Sequence, residues 1–168
     1  DLKDRAYDKV DTSFSISYAD LYAQLVEIKD GKGTKDLPDY NQIAEDLNAV
    51  LDSAHRDGSL KDEVRRNLSH YIVKDPETVQ GLERYIKHGK KIFVATNSDY
   101  NYSKLLLDYA INPFLKDHKD WSELFTYVIV SARKPDFFFD NAAFEKIDPE
   151  TGRVLTMPGM LEPGMYQG

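Results

Sequence analysis

The sequence predicts an α/β protein: a parallel sheet with crossover helices, preceded by an all-helical stretch. Three observations point there. Roughly the first ninety residues repeat their apolar positions only at helical spacing. Two short apolar runs rich in β-branched and aromatic residues, around Ile92–Ala95 and Phe125–Val130, then read as buried strands. Between them Tyr102–Ala110 returns to helical spacing, and strand, helix, strand in that order is the pattern of a parallel crossover.

The elements follow in order. Leu21, Leu25 and Ile28 recur at helical spacing over Tyr18–Asp30, behind the serines at 13, 15 and 17. Two glycines and a proline between Gly31 and Pro38 predict a surface connection. A second helix is expected from about Asp39, with Ile43, Leu47, Val50, Leu51 and Ala54 on one side and Gly58 just past its end. Ser59, with Asp62 and Glu63 three and four residues on, predicts the cap of a third helix running through Val64 and Leu68 toward Val73. Val79, Leu82 and Ile86 predict a fourth, finished by Lys87, His88 and Gly89. The tail from Asp148, rich in proline and glycine, leaves room for a hairpin around Thr151 and Gly152. This division gives a helical region over residues 1–88 and an α/β region over 89–168. Two strands make a small sheet, so the core reads as incomplete in this chain.

Bulk chemistry narrows the function. The 29 acidic against 22 basic residues give a net charge of −7, which opposes attraction to nucleic acid or an anionic membrane surface. There is no cysteine, hence no disulfide framework, thiolate metal site or cysteine nucleophile. The apolar runs are too short to span a bilayer and the charged start at Asp1–Arg5 is no signal peptide, so a cytoplasmic protein is expected.

In open parallel sheets ligands gather at the carboxyl ends of strands. After the first run come Thr96, Asn97 and Ser98, whose hydroxyl and amide groups, with the free N–H groups of the following helix, suit an anion. The competing reading is that Thr96 and Ser98 cap that helix. The second run leads to Lys134, held near the strand end by Pro135 and placed to neutralise a phosphoryl group; alone, a loop lysine is usually a solvated charge.

IFVATNSD at 92–99 and ARKP at 132–135 resemble the second and third motifs of haloacid dehalogenase (HAD) phosphatases, in the form found in cytosolic purine 5′-nucleotidases of the IMP/GMP type. The resemblance continues through VDTSFSISYADLYAQLVE at 10–27, HRDGSLK at 55–61, YIVKD at 71–75 and TNSDYNYSKLLLDY at 96–109. It implies a HAD-like, Rossmannoid three-layer core with a helical cap formed by residues 1–88. It also implies Mg2+-dependent hydrolysis of a purine nucleoside 5′-monophosphate through an aspartyl phosphate. By resemblance Thr96 and Asn97 bind the transferring phosphoryl group with Ser98 beside them, and Lys134 stabilises its charge. Phe14 would stack on the purine, and Asp52, His55 and Lys61 would contact it. Without the resemblance Phe14 reads equally as core, and Asp52 with His55 as a surface pair three residues apart.

Two departures stand out. Where the family pattern has an arginine four residues before the cap aspartate, this chain has Asn48, which bears on base preference. No two aspartates are separated by one residue and no Gly-Asp pair occurs, so the nucleophile and metal motifs are absent. The expectation is therefore an internal portion of a longer enzyme, inactive alone, whose nucleophile and Mg2+ ligands lie outside it. The alternative is a catalytically silent binding or regulatory relative; a helical interaction domain is a weaker third. Tyr7, Tyr40, Trp121 and Phe137–Phe139 could serve a homo-oligomer interface, or simply core packing.

Overall fold

A computed structural model describes residues 10, 13–31, 37–139, 141, 143–155 and 162–168. The chain divides into two compact units, Asp1–Asp62 and Glu63–Gly168.

The first unit is a helical hairpin. Helices α1 (Ser13–Asp30) and α2 (Tyr40–Arg56) pack against each other, with Ile43 buried and the Tyr18 hydroxyl donating to the Ala44 carbonyl. Asp39 starts α2 by accepting the Gln42 N–H at 2.9 Å, which satisfies one of the donors a helix start leaves open. At its other end Gly58 adopts φ +82°, the left-handed backbone that glycine takes without steric cost. Helix α3 (Ser59–Arg66) then crosses the boundary between the units.

The single helix expected from Ser59 toward Val73 is broken. At Asn67, with φ −131° and ψ 47°, the backbone leaves the helical region, and α4 (Leu68–Tyr71) is a separate turn. Asn67 bonds the Glu63 carboxylate through its side chain, an example of how asparagine competes with regular helix.

In the second unit α5 (Pro76–Lys87) is capped by Asp75, which accepts the N–H groups of Glu77 and Thr78, and proline occupies its first turn. A five-stranded sheet follows, with β1 (Phe93–Ala95), β2 (Tyr127–Val130), β3 (Glu145–Ile147), β4 (Val154–Leu155) and β5 (Gly164–Gln167). Their spatial order is β1-β2-β5-β3-β4; the first three are parallel, and β3 runs antiparallel to both β5 and β4. This mixed α/β architecture is consistent with a HAD-like fold. Helix α6 (Tyr100–Ala110) joins β1 to β2, and α5 packs against the short helices Asn112–Phe114 and Trp121–Leu124. The core gathers Val79, Tyr100, Ile111, Trp121, Leu124, Val128, Val130, Ile147 and Met165. Trp121 is thus core rather than interface, whereas Phe138 and Phe139 are exposed.

Two expectations for the sheet change. The run around Phe93 forms an edge strand, not a buried one: among the described residues β1 pairs only with β2, and Phe93 is 61% exposed. The turn-rich tail contributes β5, which lies between β2 and β3 with Met165 and Tyr166 buried.

The anticipated hairpin is β3–β4. Its turn is tied by Asp148, whose carboxylate accepts the N–H groups of Glu150 and Thr151, and Gly152 closes it at φ +70°. A Cβ on Gly152 would fall 2.4 Å from Tyr100 Cδ1, while the Tyr100 hydroxyl donates to the Pro149 carbonyl at 2.5 Å. Gly152→Ala is expected to destabilise the protein by about 2 kcal/mol, through overpacking against a core ring and a disfavoured φ. A urea midpoint equal to the wild type would contradict this close approach. Among the described residues no helix is long and apolar enough to cross a membrane.

Candidate functional site

Strands β1 and β2 run parallel with Phe93, Val94 and Ala95 opposite Tyr127, Val128 and Ile129. The segments leaving them, 96–99 and 131–135, therefore emerge at the same end of the sheet. Hydrogen bonds join the two segments rung by rung. The Thr96 N–H donates to the Ile129 carbonyl at 2.9 Å, the Ala132 N–H to Thr96 O at 2.9 Å, and the Ser131 N–H to Ser98 O at 2.8 Å. Ser131 and Arg133 lie at φ +48° and +51°, left-handed backbone that costs a non-glycine residue roughly 1–2 kcal/mol. Such conformations persist where surrounding bonds impose them, and they gather at working sites.

Lys134 closes the arrangement. Its main-chain N–H donates to Asn97 Oδ1 at 2.6 Å, and Asn97 Nδ2 donates back to the Lys134 carbonyl at 2.9 Å. Its ammonium donates to the Ala95 carbonyl, the last of β1, at 2.8 Å. The Lys134–Pro135 peptide is cis. Thr96, Asn97, Ser98 and Lys134 are thus brought together, with hydroxyl, amide and ammonium groups converging beside one strand end.

The hydroxyls do not cap α6. Asp99 takes that role, accepting the Tyr102 N–H at 2.9 Å, and Thr96 Oγ1 instead accepts the Ser98 N–H at 3.1 Å. The helix start expected to offer itself to an anion therefore carries a carboxylate, and the positive charge at this end of the sheet comes from Lys134 and from Arg133, whose Nε donates to the Gly168 carbonyl at 3.2 Å.

The remaining sequence-predicted residues belong to the first unit. Asp52 is exposed on α2. One turn on, half-buried His55 places Nδ1 2.7 Å from the Leu51 carbonyl, a contact that requires the proton on Nδ1. Lys61 lies half-buried on α3, beyond the Gly58 turn. Asn48, at the position where the resemblance expects arginine, places Nδ2 3.4 Å from the Tyr18 hydroxyl. Phe14 falls within α1, and its side chain lies outside the described residues, as does Tyr7.

The residues at the strand ends do not fit a divalent cation. Their charged side chains are Arg133, Lys134 and a single carboxylate, Asp99, which already caps α6, whereas magnesium takes several oxygen ligands, carboxylates above all. Among the described residues no group of three or more His, Cys, Asp or Glu side chains could hold a metal ion.

Sequence reasoning missed one buried polar cluster. Glu83 on α5 is only 6% exposed and accepts the N–H groups of Lys116 and Asp117 at 3.0 and 2.8 Å, with His118 Nδ1 at 3.0 Å. Its signal was present: Glu83 follows Val79 by four residues, on the face that also bears Leu82 and Ile86.

Comparison with known proteins agrees with the motifs. The chain is 30% identical over 112 residues to a 5′-nucleotidase domain-containing protein of Dictyostelium discoideum, covering 66% of this chain and 19% of that protein. It is 31% identical over 111 residues to the human 5′-nucleotidase domain-containing protein 2, covering 66% and 20%. The rat protein of the same name gives 31% over 111 residues, covering 66% and 19%. The aligned part of the chain thus spans about a fifth of the length of these relatives. The model of the 5′ nucleotidase family matches residues 1–168, from one end of the chain to the other, and the chain belongs to that family.

Proposed function

We propose that the chain is an internal part of an enzyme that hydrolyses purine nucleoside 5′-monophosphates of the IMP/GMP class to nucleoside and phosphate. The observation that carries this reading is the joining of the Thr96 and Lys134 segments at one end of a parallel sheet. There Thr96 binds the phosphoryl group and Lys134 offsets the charge that grows on it, while Asn97 and Ser98 shape the loop between them. An aspartate outside these residues attacks phosphorus, and water later frees the phosphate. Mg2+, held by carboxylates that this chain does not supply, would act as Lewis acid in the intact enzyme. This chain alone is inactive in that reading. Phe14, Asp52, His55 and Lys61 form the recognition set for the base, and the lack of cysteine suits a cytoplasmic setting.

A second reading, a silent binding or regulatory relative, draws on the absence of any Asp-x-Asp or Gly-Asp pair within these residues. Phosphate release by the intact protein from IMP, GMP and p-nitrophenyl phosphate separates the two. Turnover of the nucleotides is expected; a folded intact protein that turns over none of the three would leave the silent reading standing.

The recognition set has its own test. Asp52→Ala in the intact protein is expected to raise KM for IMP roughly tenfold, the scale of one lost hydrogen bond to a charged group. KM for p-nitrophenyl phosphate, which has no purine, should stay put. Equal changes for both substrates would remove Asp52 from base recognition.

A further inference from the structure

We infer that Asn97 is the positioning residue of Lys134, its carboxamide holding the lysine main chain by both of its polar groups. The inference deepens the proposed function and rests on it for the catalytic value of Lys134; the contact itself stands on geometry alone.

Lys134 sits in a segment without regular structure. It follows the left-handed Ser131 and Arg133 and precedes a short helical turn at Asp136–Phe138. Backbone bonds from the 96–99 loop reach only as far as Ala132. Beyond that point, the described bonds between the two loops come from the Asn97 side chain, 37 residues away in sequence. Its amide oxygen accepts the Lys134 N–H and its amide nitrogen donates to the Lys134 carbonyl. One side chain thereby pairs with both polar groups of one residue, as a neighbouring strand would. An amide alone among uncharged side chains offers donor and acceptor in the spacing this requires.

The arrangement fixes the base of a long, flexible side chain. From that anchor the ammonium reaches the Ala95 carbonyl at 2.8 Å, using one of its three hydrogens and leaving two for an anion at the strand end. Asn97 has committed its oxygen and one amide hydrogen to this duty. Both of these bonds are in place before any ligand arrives.

Two measurements on the intact protein test the inference. In Asn97→Ala the Lys134 amide should exchange with solvent roughly tenfold faster, the equivalent of one hydrogen bond, as read by hydrogen exchange. Asn97→Asp, which keeps the accepting oxygen, should leave that amide protected; it serves as the second variant should the alanine form fold poorly. In kinetics, Asn97→Ala should lower kcat for IMP roughly tenfold to a hundredfold, the cost of a positional error of up to an ångström. In a Lys134→Ala background the same change should cost almost nothing, because the group it positions is gone.

Unchanged exchange at the Lys134 amide in Asn97→Ala overturns the inference whatever the activity. Additive losses in the double variant also overturn it, because Asn97 would then be acting on substrate directly. Absence of nucleotide turnover in the unsubstituted protein would sink the proposed function, while the exchange measurement would still decide the positioning contact.

Discussion

Lys134→Ala in the intact protein is expected to lower kcat for nucleotide hydrolysis by about 10² or more, the scale seen when one preorganised electrostatic donor is removed. The expectation follows from where the ammonium is held. Its main chain is clamped by Asn97, and Nζ rests on the Ala95 carbonyl at the end of β1, where the Thr96 hydroxyl also lies close by in the sequence. A charge fixed in advance does not have to reorganise as negative charge develops on phosphorus, so its loss should appear in kcat more than in KM. Lys134→Arg should recover little, because a planar guanidinium cannot take the place of a compact ammonium seated on one carbonyl. Steady-state kinetics with IMP, on variants whose thermal unfolding matches the unsubstituted protein, give the answer. Unchanged turnover would remove Lys134 from the chemistry and leave the strand-end cluster as a structural join.

The sequence was legible where neighbours along the chain decide the outcome. Asp39, Gly58, the Lys87–Gly89 ending and the Asp148–Gly152 turn were readable because caps and turns act over a few residues. Strands β1 and β2 were readable from β-branched and aromatic content, and with them the end of the sheet that carries Thr96 and Lys134. What failed depended on distant partners. Phe93 looks like core by composition, but its exposure depends on what lies beyond β1, which periodicity does not encode. Strand β5 has four residues entered from Pro163 and Gly164, and it is buried only because β2 and β3 flank it. The bonds between the Asn97 carboxamide and the Lys134 main chain could not be read either, because the two residues stand 37 apart in sequence. Glu83 was hidden for the same reason, its partners standing 33 to 35 residues away.

Glu83→Ala is expected to cost about 3 kcal/mol or more, the penalty for leaving the partners of a buried charged group unpaired. The carboxylate accepts two main-chain N–H groups from Lys116 and Asp117 and the His118 ring, whose Nδ1 must carry a proton because an ionised carboxylate only accepts. These bonds hold the segment between Asn112–Phe114 and Trp121–Leu124, which feeds into β2 and so toward Lys134. Burial pushes the Glu83 carboxyl up. The bonds from His118, Asp117 and Lys116 together outweigh that effect and hold it below its ordinary value of 4.5. A carboxyl whose folded pKa is depressed contributes stability that is fully present above the unfolded value and is lost as pH falls through the folded one. The stabilisation from Glu83 should therefore be intact above pH 4.5 and fade below it. Urea unfolding of the unsubstituted protein and of Glu83→Gln across that range is the check. The glutamine form keeps the shape without the titration, so it should be less stable near neutrality and show a shallower fall in acid. Parallel curves for the two proteins would mean that the clasp on the 116–118 segment contributes no acid sensitivity, and that other carboxylates set the lower pH limit of the fold.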